Sequence, residues 1–522
     1  MATYKFLFIV SFWCCFLTSV AAGFGGVVAC EAPLASYVGV RVLDSGGNAV
    51  DASVSVAFSL AVLVPHLGGF GGDFFALISH PDGRVLFLNG SGYSPRRLSL
   101  NLLESKGLAS IPLRGPLSIT IPGFTGAVYE MWRRLGSVEW SKLLEPARIL
   151  ASIGFPVLPN LARAINIDSK ILELDPGSKA TYLDPKPSAW EPFKMAGLAS
   201  LIEYLQEDPR AIYRGEPAEA IASYVSERGG VLDVDDMKSY EPEWGDHLTS
   251  TYRGWTIYEM PPNTQGVTTL HILKLLEELS VEPHPLSTER FKTLVEVAIP
   301  SYKWRDLNVG DPRSMKISLK DLLSNKIIED IKMLKGDLNP REASGSSVDT
   351  TFFAVADREG LIVAGIQSLY YPFGSGLTEP RFQVTLNNRA ADFSIVKGLP
   401  NTLEPLKKPL HTLSAAIIER EDNRIALGAS GGHYRPQQHA IFITNIIDYN
   451  MPIEEAINTP RAAWDPKTGR IAVEREINLK NILGLETFIV ERLGVANAVQ
   501  VRGRMKKAAT DRRGYGIPVA AP

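Results

Sequence analysis

The chain has 522 residues, of which 45% are apolar and 21% charged, and its formal net charge is −3. The apolar fraction is that of a globular protein, and the length alone corresponds to about three ordinary domains. The charge provides neither the basic surplus that binds nucleic acid nor an acidic tail. The three cysteines form no CxxC pair and the eight histidines no HExxH motif, so a disulfide framework or a zinc site is not expected. We therefore predict no metal, no cofactor and no nucleic-acid partner.

Residues 1–23 have the layout of a secretory signal. Lys5 precedes an apolar run over residues 6–17, and small residues including Ala21 and Ala22 follow. This layout is typical of a cleaved signal, and the run is short for a transmembrane helix, which needs about 20 apolar residues. An uncleaved anchor and a misplaced start codon are the alternatives. The protein is secreted or membrane-associated if the segment is a signal and cytoplasmic otherwise, and only this segment would contact a membrane.

The first hundred residues alternate short strands with helices. Asn48 is a good N-cap, and the helix after it is apolar nearly all round, which predicts that it is buried. Two apolar strands flank Pro81-Asp82-Gly83, and this arrangement predicts a hairpin. The predicted elements are a strand at 27–29, helices at 33–43 and 50–64, and strands at 74–78 and 85–88.

The middle of the chain is mostly helical, and the last third is rich in strands. Strands with helices outside them favour a layered sandwich of sheets and helices. The predicted helices of the middle cover 140–153, 198–206, 217–227 and 268–279, with one strand at 251–258. Beyond residue 350 the predicted strands cover 352–355, 361–366, 382–386, 414–418 and 424–428, and a helix covers 436–449.

Thr350 opens a predicted strand directly after the small, polar run at 342–348. A hydroxyl is a weak nucleophile, and a free α-amine on the same residue is one way to activate it. Such an amine has a pKa of roughly 7.7–8.0, so part of it is a free base near neutral pH. The pattern therefore indicates a nucleophile that is released when the chain is cut between Asp349 and Thr350. The alternative is an ordinary threonine at the start of a strand, where this residue type is common.

Two glycine-rich turns could contribute to a site. The run at 428–432 follows a predicted strand and precedes a helix, so its backbone N–H groups could approach the oxyanion that forms during amide attack. A plain strand-to-helix turn would have the same sequence. The run at 68–72 lacks the Gly-Lys-Ser/Thr of a phosphate loop and connects helix to strand, the wrong order, so we interpret it as a structural turn.

Together these segments resemble the γ-glutamyltranspeptidase family of N-terminal-nucleophile hydrolases, from about Gly25 to Gly514. The resemblance implies an α+β fold, a four-layer αββα sandwich made as one precursor. It also implies that the precursor cuts itself into a large part, 24–349, and a small part, 350–522, which stay associated as one intertwined domain; a homodimer is left open. The matching segments are 27–29, 33–36, 46–52, 65–66, 71–72, 122–123, 260–266, 349–351, 373–376, 386–388, 392–394 and 431–432.

The resemblance also implies roles for single residues. Thr350 matches the nucleophile, and Ser368 matches the threonine that hydrogen-bonds it and keeps a hydroxyl. Gly431 and Gly432 match the glycines of the oxyanion hole. Asp392 matches the carboxylate that holds the α-ammonium group of the substrate.

The chain departs from the family where a glutamyl group would be recognised. Ser91 replaces the arginine that grips the α-carboxylate, and a serine cannot supply a bidentate, charged contact. Tyr370 replaces an asparagine, Arg389 a glutamine near the ammonium site, and His411-Thr412 a pair of serines.

Either another arginine takes over the carboxylate or the substrate differs. Arg389 is the better candidate anchor, with Arg96 and Arg97 as alternatives, although a surface arginine is the more ordinary interpretation of Arg389. His411 is either a donor in the pocket or a structural histidine.

We therefore predict an autoprocessing enzyme whose Thr350 hydrolyses or transfers a small-molecule or peptide amide. A γ-glutamyl amide such as glutathione is the default that the family implies. A related amidohydrolase or acylase with a non-glutamyl, oxamate-type substrate is the first alternative. A non-catalytic family member is the second, and the retention of Thr350, Ser368 and the glycine pair argues against it.

Overall fold

The computed structural model describes residues 19–334, 350–479 and 482–522, so Asp349 and most of the predicted signal lie outside the described residues. The strands are β1 (Val20–Gly23), β2 (Gly26–Ala29), β3 (Asp73–Ser79), β4 (Val85–Gly90), β5 (Phe155–Pro156), β6 (Pro192–Phe193), β7 (Glu243–Gly245), β8 (Leu248–Tyr252), β9 (Trp255–Glu259), β10 (Thr351–Asp357), β11 (Ile362–Ser368), β12 (Thr378–Glu379), β13 (Val384–Thr385), β14 (Ala416–Arg420), β15 (Asn423–Ala429), β16 (Ala462–Trp464), β17 (Ile471–Glu474), β18 (Thr487–Val490), β19 (Ala496–Arg502), β20 (Met505–Thr510) and β21 (Val519–Ala521).

The α-helices are α1 (Pro33–Asp44), α2 (Ala49–Leu63), α3 (Leu100–Ser105), α4 (Phe124–Leu135), α5 (Trp140–Ile153), α6 (Pro159–Ile167), α7 (Ser169–Leu172), α8 (Pro176–Tyr182), α9 (Ala196–Glu207), α10 (Glu216–Glu227), α11 (Val234–Lys238), α12 (Gly266–Glu277), α13 (Thr288–Asn308), α14 (Asn325–Met333), α15 (Arg435–Ile447) and α16 (Ile453–Asn458). Short 3-10 turns at Pro116–Ser118, Pro312–Ser314, Arg389–Asp392 and Gly432–Tyr434 complete the helical set.

Two seven-stranded sheets form the centre of the molecule. The first sheet has the order β1-β20-β19-β15-β14-β9-β8, and the second has the order β21-β2-β10-β11-β3-β4-β7. Each sheet combines strands that precede Thr350 with strands that follow it. The two predicted parts of the chain therefore share backbone hydrogen bonds in both sheets.

The alternation of side chains along β10 shows why four layers form. Phe352 and Ala354 pack in a cluster that both sheets share. Phe353 and Val355 point to the opposite face, into a cluster with the helices outside the second sheet. Since successive residues of a strand face opposite sides, a strand that is apolar at every position must be covered on both faces. The predicted α+β sandwich with layers αββα is confirmed.

Helices cover the outer face of each sheet. Helices α1, α2 and α4 pack on the second sheet, with α5 and α9 behind them, and α12, α15 and α16 pack on the first, with α13 against α12. Helix α2 is the predicted buried helix, and all of its residues are buried. Asn48 caps it by accepting from the amides of Val50 and Asp51, and the Asp51 carboxylate accepts from the Asn48 amide in return, a capping box.

Two predicted strands differ from the structure. Residues 251–258 form the hairpin β8–β9 instead of one strand, because Arg253 and Gly254 have φ of 45° and 79°, and two positive φ values make a tight hairpin turn. Of the strand predicted at 382–386 only β13 remains, since Gln383 has φ of 53° and interrupts the extended backbone.

The predicted signal overlaps the sheet. Residues 20–23 form β1, which pairs antiparallel with β20 from Val20↔Ala509 to Gly23↔Lys506. In the described ranges, no helix has the length and apolar character needed to cross a membrane.

Candidate active site

Thr350 immediately precedes β10, an interior strand of the second sheet. The register of β10 and β11 pairs Thr351 with Gln367, which places the preceding Thr350 beside Ser368 at the end of β11. The Thr350 hydroxyl donates to Ser368 Oγ at 3.2 Å, and the Tyr370 amide donates to the same oxygen at 2.8 Å. Thr350 and Ser368 have no exposed surface. The hydroxyl of Thr350 is thus held in one orientation by a neighbouring strand.

The glycine turn at Gly68–Gly72 brings β3 close to this pair. Ser368 is paired with Asp73, the first residue of β3. A Cβ on Gly72 would lie 2.4 Å from the carbonyl oxygen of Ser368, so only glycine permits this approach. The turn is structural, as its sequence indicates, and it sets the position of two residues of the site.

A second turn offers backbone donors. Beyond the end of β15, Gly431 and Gly432 have φ of 127° and 55°, and their amides donate to no acceptor in the parts of the chain that the structure describes. Gln265 fixes this turn, because its side-chain amide donates to the carbonyl oxygens of Gly432 at 2.8 Å and Thr412 at 2.7 Å. Two adjacent backbone N–H groups of this kind can stabilise an oxyanion.

Gln265 is itself held by a buried charge. Arg305 donates from Nη1 to Gln265 Oε1 at 2.8 Å, and its Nη2 lies 2.8 Å from Asp306. Gln265 and Arg305 have no exposed surface. The amide of Gln265 is therefore fixed in the orientation that directs its N–H groups toward the glycine turn.

Arg389 is fully buried, so its interpretation as a surface arginine is wrong. Its guanidinium stacks on the Tyr370 ring, with Cζ 4.3 Å from the ring centre. Nη1 donates to Thr412 Oγ1 at 3.1 Å, and Nε lies 3.6 Å from a carboxylate oxygen of Asp73. Tyr370, Arg389 and Thr412, which the sequence places among the substrate-binding residues, thus form one connected group.

His411 binds the same carboxylate. Its Nε2 lies 2.9 Å from Asp73 Oδ2, and its Nδ1 accepts from the Leu413 amide at 3.4 Å, so the proton is on Nε2. Burial and the nearby Arg389 lower the pKa of His411 to about 4. A neutral His411 therefore orients Asp73, whose other oxygen accepts from the Gly92 amide at 2.8 Å.

Asp392 already has two donors close to it. The hydroxyl of Tyr370 donates to Oδ1 at 3.1 Å, and His433 Nε2 lies 3.6 Å from the same oxygen. Burial lowers the pKa of His433 to about 4, although Asp392 acts in the opposite direction. Tyr370 therefore occupies a carboxylate oxygen that the resemblance assigns to a substrate ammonium group.

Ser91 is buried in a network of neutral side chains. Asn263 donates from Nδ2 to Ser91 Oγ at 3.1 Å and to the Pro409 carbonyl at 2.7 Å. The Asn263 carbonyl in turn accepts from the His411 amide at 2.7 Å. Ser91 is thus adjacent to the candidate site without contributing a charge to it.

The two alternative arginines have other partners. Arg96 pairs with Asp236 at 3.0 Å, and Arg97 donates to the Val231 carbonyl at 3.3 Å. Neither contacts Asp73 or Asp392.

The structure brings Thr350, Ser368, Tyr370, Asp392, Arg389, His411, Thr412 and the two glycines into one connected region. Sequence reasoning missed Asp73, Gln265, Arg305 and His433. An acidic residue at the start of a strand that is otherwise apolar was a usable signal for Asp73, and no comparable signal marks Arg305. Within residues 19–334, 350–479 and 482–522, no three His, Cys, Asp or Glu side chains are grouped to hold a metal ion.

Comparisons with known proteins identify what the whole chain is similar to. The family model described as gamma-glutamyltranspeptidase matches residues 35–521. A glutathione hydrolase-like proenzyme of Bacillus subtilis, YwrD, is 36% identical over 439 residues, which cover 83% of each chain. An oxamate amidohydrolase proenzyme of Klebsiella pneumoniae is 30% identical over 444 residues, 82% of this chain and 83% of the relative.

A solved structure has the same architecture over nearly its whole length. It is a cephalosporin acylase from Bacillus halodurans, with a TM-score of 0.89 and 28% identity, covering 96% of this chain and 97% of that one. The similar chains thus include a glutathione hydrolase-like protein, an oxamate amidohydrolase and a cephalosporin acylase.

Proposed function

The chain belongs to the γ-glutamyltranspeptidase family of autoprocessed N-terminal-nucleophile hydrolases, and we propose that Thr350 is its nucleophile. In this proposal the precursor cuts itself between Asp349 and Thr350. The new N-terminal Thr350 then hydrolyses or transfers the acyl group of a γ-glutamyl (glutathione-type) amide or of a similar acyl amide. Gly431 and Gly432 supply the oxyanion hole, and Tyr370, Arg389, Asp392, Thr412 and His411 surround the acyl group.

One observation carries this proposal: the buried hydrogen bond of 3.2 Å from the Thr350 hydroxyl to Ser368 Oγ. It lies at the end of an interior strand of the second sheet, where the register of β10 and β11 places the two hydroxyls side by side. The glycine turn, with two amides that have no acceptor in the described parts of the chain, supports the same conclusion.

Self-processing would begin with attack by the Thr350 hydroxyl on the carbonyl carbon of Asp349. The C–N bond between the two residues breaks, the nitrogen becomes the α-amine of Thr350, and an ester joins Asp349 to the hydroxyl oxygen. Water then hydrolyses the ester and leaves a carboxylate on Asp349 and a free hydroxyl on Thr350. The α-amine is the base that the second reaction needs.

In the second reaction the α-amine takes the hydroxyl proton while the oxygen attacks the substrate amide. The amides of Gly431 and Gly432 stabilise the oxyanion. The leaving amine departs with the proton, and the acyl ester on Thr350 passes to water or to an acceptor amine. Hydrolysis and transfer thus share every step except the last.

Substitution at Thr350 tests the proposal. We expect wild-type protein to show two chains on a denaturing gel, with Thr350 as a new N-terminus by mass spectrometry. Thr350→Ala should stay a single chain of 57.1 kDa or its signal-free form and lose activity by at least about 10⁴-fold. Thr351→Val is the matched control, since the Thr351 hydroxyl has no hydrogen-bond partner among the described residues. Cleavage in Thr350→Ala, or an uncut wild type after long incubation, would overturn the proposal.

A second candidate function is a non-glutamyl amidohydrolase of the oxamate type. The observation that favours it is Ser91, which is uncharged and hydrogen-bonded to Asn263 at the position where the resemblance expects an arginine. Comparison of γ-glutamyl anilide with simple dicarboxylic amides on the processed enzyme separates the two candidates. A non-catalytic role is not favoured, because the relatives are hydrolases.

The two parts of the cut chain would stay associated. After cleavage β10 still lies between β2 and β11 in the second sheet, with register from Ala354↔Ala29 to Asp357↔Gly26 on one side. Separation of the parts would expose these backbone groups and the apolar cluster between the sheets, which is costly.

A further inference from the structure

We propose that the acyl site takes an amide whose acyl group carries a carboxylate and no ammonium group, and that Arg389 binds this carboxylate. The inference rests on the proposed amide chemistry of Thr350 and adds the class of substrate. It assigns to Arg389 the contact that an arginine at position 91 would otherwise make. In this proposal Asp392 does not bind an ammonium group of the substrate.

The guanidinium of Arg389 has donors to offer. Of its five N–H groups, one on Nη1 is used by Thr412, whereas Nε and Nη2 have no hydrogen-bond partner in the described parts of the chain. A buried cationic donor without an acceptor is costly, and a carboxylate satisfies two N–H groups of a guanidinium at once. Stacking on Tyr370 engages the face of the guanidinium, so it does not satisfy these N–H groups at its edge.

Arg389 is connected to both halves of the reaction centre. Tyr370, whose ring it covers, donates its amide to the Ser368 oxygen that receives the Thr350 hydrogen bond. On the other side Thr412 is joined through Gln265 to Gly432. Because Arg389 is linked to Ser368 through Tyr370 and to Gly432 through Thr412 and Gln265, we place the carboxylate near the attacked carbon. The acyl chain is therefore short.

Asp73 does not close off the guanidinium. Its Oδ2 lies 3.6 Å from Arg389 Nε, beyond a good hydrogen bond, and is 2.9 Å from His411 Nε2. His411 thus holds Asp73 back from Arg389. Asp73 lowers the cost of burying the cation but leaves Nε and Nη2 of Arg389 without a hydrogen-bond partner among the described residues.

A second buried guanidinium adds positive charge. Arg435, at the start of α15, donates from Nε to the Ala429 carbonyl at 2.6 Å. Burial, and next the charge of Arg389, lower the pKa of Arg435 to about 9. Two buried cations that destabilise each other favour an anion between or beside them.

An ammonium group is disfavoured in the same place. The Tyr370 hydroxyl and His433 already lie against Asp392 Oδ1, and Arg389 interacts electrostatically with the same carboxylate. A substrate ammonium near Asp392 would compete with these groups for Oδ1 and would be repelled by Arg389. An α-amino acid acyl group is therefore a worse ligand than a plain dicarboxylic one.

The experiment uses processed wild-type enzyme and Arg389→Gln, with Arg96→Gln as the matched control, since Arg96 pairs with Asp236 far from this group. The substrates are the monoamides of two- to four-carbon dicarboxylic acids, γ-glutamyl anilide, and a neutral amide of equal length. We expect wild type to prefer a dicarboxylic monoamide. Arg389→Gln should raise its KM by about 10- to 100-fold, with little change for the neutral amide and none in Arg96→Gln.

Binding of the free dicarboxylates by calorimetry is a second readout that needs no turnover. Wild type should bind one of them and Arg389→Gln should not, while both remain cut at Thr350. A preference for γ-glutamyl anilide, equal loss on the neutral amide, or no dicarboxylate binding by wild type would each overturn the inference. Failure of cleavage in wild type would instead contradict the proposed function.

Discussion

The two sides of the candidate site are built in different ways. The nucleophile side consists of the hydroxyls of Thr350 and Ser368 and the backbone amides of Gly431 and Gly432, all neutral and set by strand register and one turn. The acyl side consists of buried residues, most of them charged or titratable, that come from the start of β3, a 3-10 turn and two loops: Arg389, Asp73, His411, Asp392 and Tyr370.

The difference separates the reaction from its specificity. Backbone geometry can be conserved in shape while side chains change, so the nucleophile side suits amides in general. Buried charges need exact partners because unpaired ones are costly, so the acyl side suits one class of ligand. Variants that affect one side and leave the other intact test this division.

Among these variants the largest loss of activity is expected for Gln265→Leu, which removes the side chain that holds the glycine turn of the nucleophile side. The variant loses the donors that hold the Thr412 and Gly432 carbonyls, so the glycine amides lose their alignment. We expect kcat to fall by about 10²- to 10³-fold, the range for loss of an oxyanion donor, with a smaller change in KM. Steady-state kinetics on the cut enzyme measure this. Gln206→Leu on α9 is the control, and an equal loss there would indicate general misfolding.

Acid should affect the acyl side, which holds two buried histidines. The pKa values of His411 and His433 are lowered to about 4 in the folded protein, against about 6.5 when unfolded. The unfolded chain therefore binds more protons between these values, and stability falls as pH drops from about 6.5 towards 4. The free energy of unfolding can fall by about 3 kcal/mol for each histidine. Melting temperatures from pH 7.5 to 4.5 test this, and a flat profile would contradict the assignment.

Asp73→Asn should weaken the acyl side more gently. The variant keeps the shape but loses the charge near Arg389 and weakens the contact to His411. We expect KM for the best acidic amide to rise by about 10-fold while kcat is nearly retained, because one charge-assisted contact that positions the acyl side is weakened. Asp175→Asn is the control, since that carboxylate caps α8. A pure kcat effect in Asp73→Asn would place Asp73 on the nucleophile side.

The smallest effect is expected for Ser91→Ala. The Ser91 hydroxyl accepts from Asn263, which keeps the Pro409 carbonyl as a second acceptor, and donates to the Gly92 carbonyl at 3.2 Å. Stability should fall by about 1 kcal/mol, measured by denaturant unfolding, and KM should change less than threefold. A large rise in KM would show that the Ser91 hydroxyl contacts the substrate and would weaken the role given to Arg389.

Much of the fold could be predicted because local patterns agree with the final packing. The capped apolar helix after Asn48, the hairpin of β3 and β4, and β10 after Thr350 all appear where the sequence places them. The misses lie at Arg253-Gly254 and at Gln383, where positive φ values break a strand. Nothing in the composition of Arg253 or Gln383 marks such a conformation in advance.

The sequence by itself determined the layers of the fold, the position of Thr350 before a central strand and the loss of the arginine at position 91. The strands, the helices and the place of Thr350 follow from periodicity and residue types, which are local properties. The four layers and the serine in place of an arginine at position 91 follow from the resemblance of the sequence to the family. Only the tertiary structure decided that Arg389 is buried. It also decided that Asp73 lies closer to His411 than to Arg389 and that the Tyr370 hydroxyl donates to Asp392. Such contacts join residues up to 338 positions apart, and burial and charge pairing at this range depend on how the layers meet.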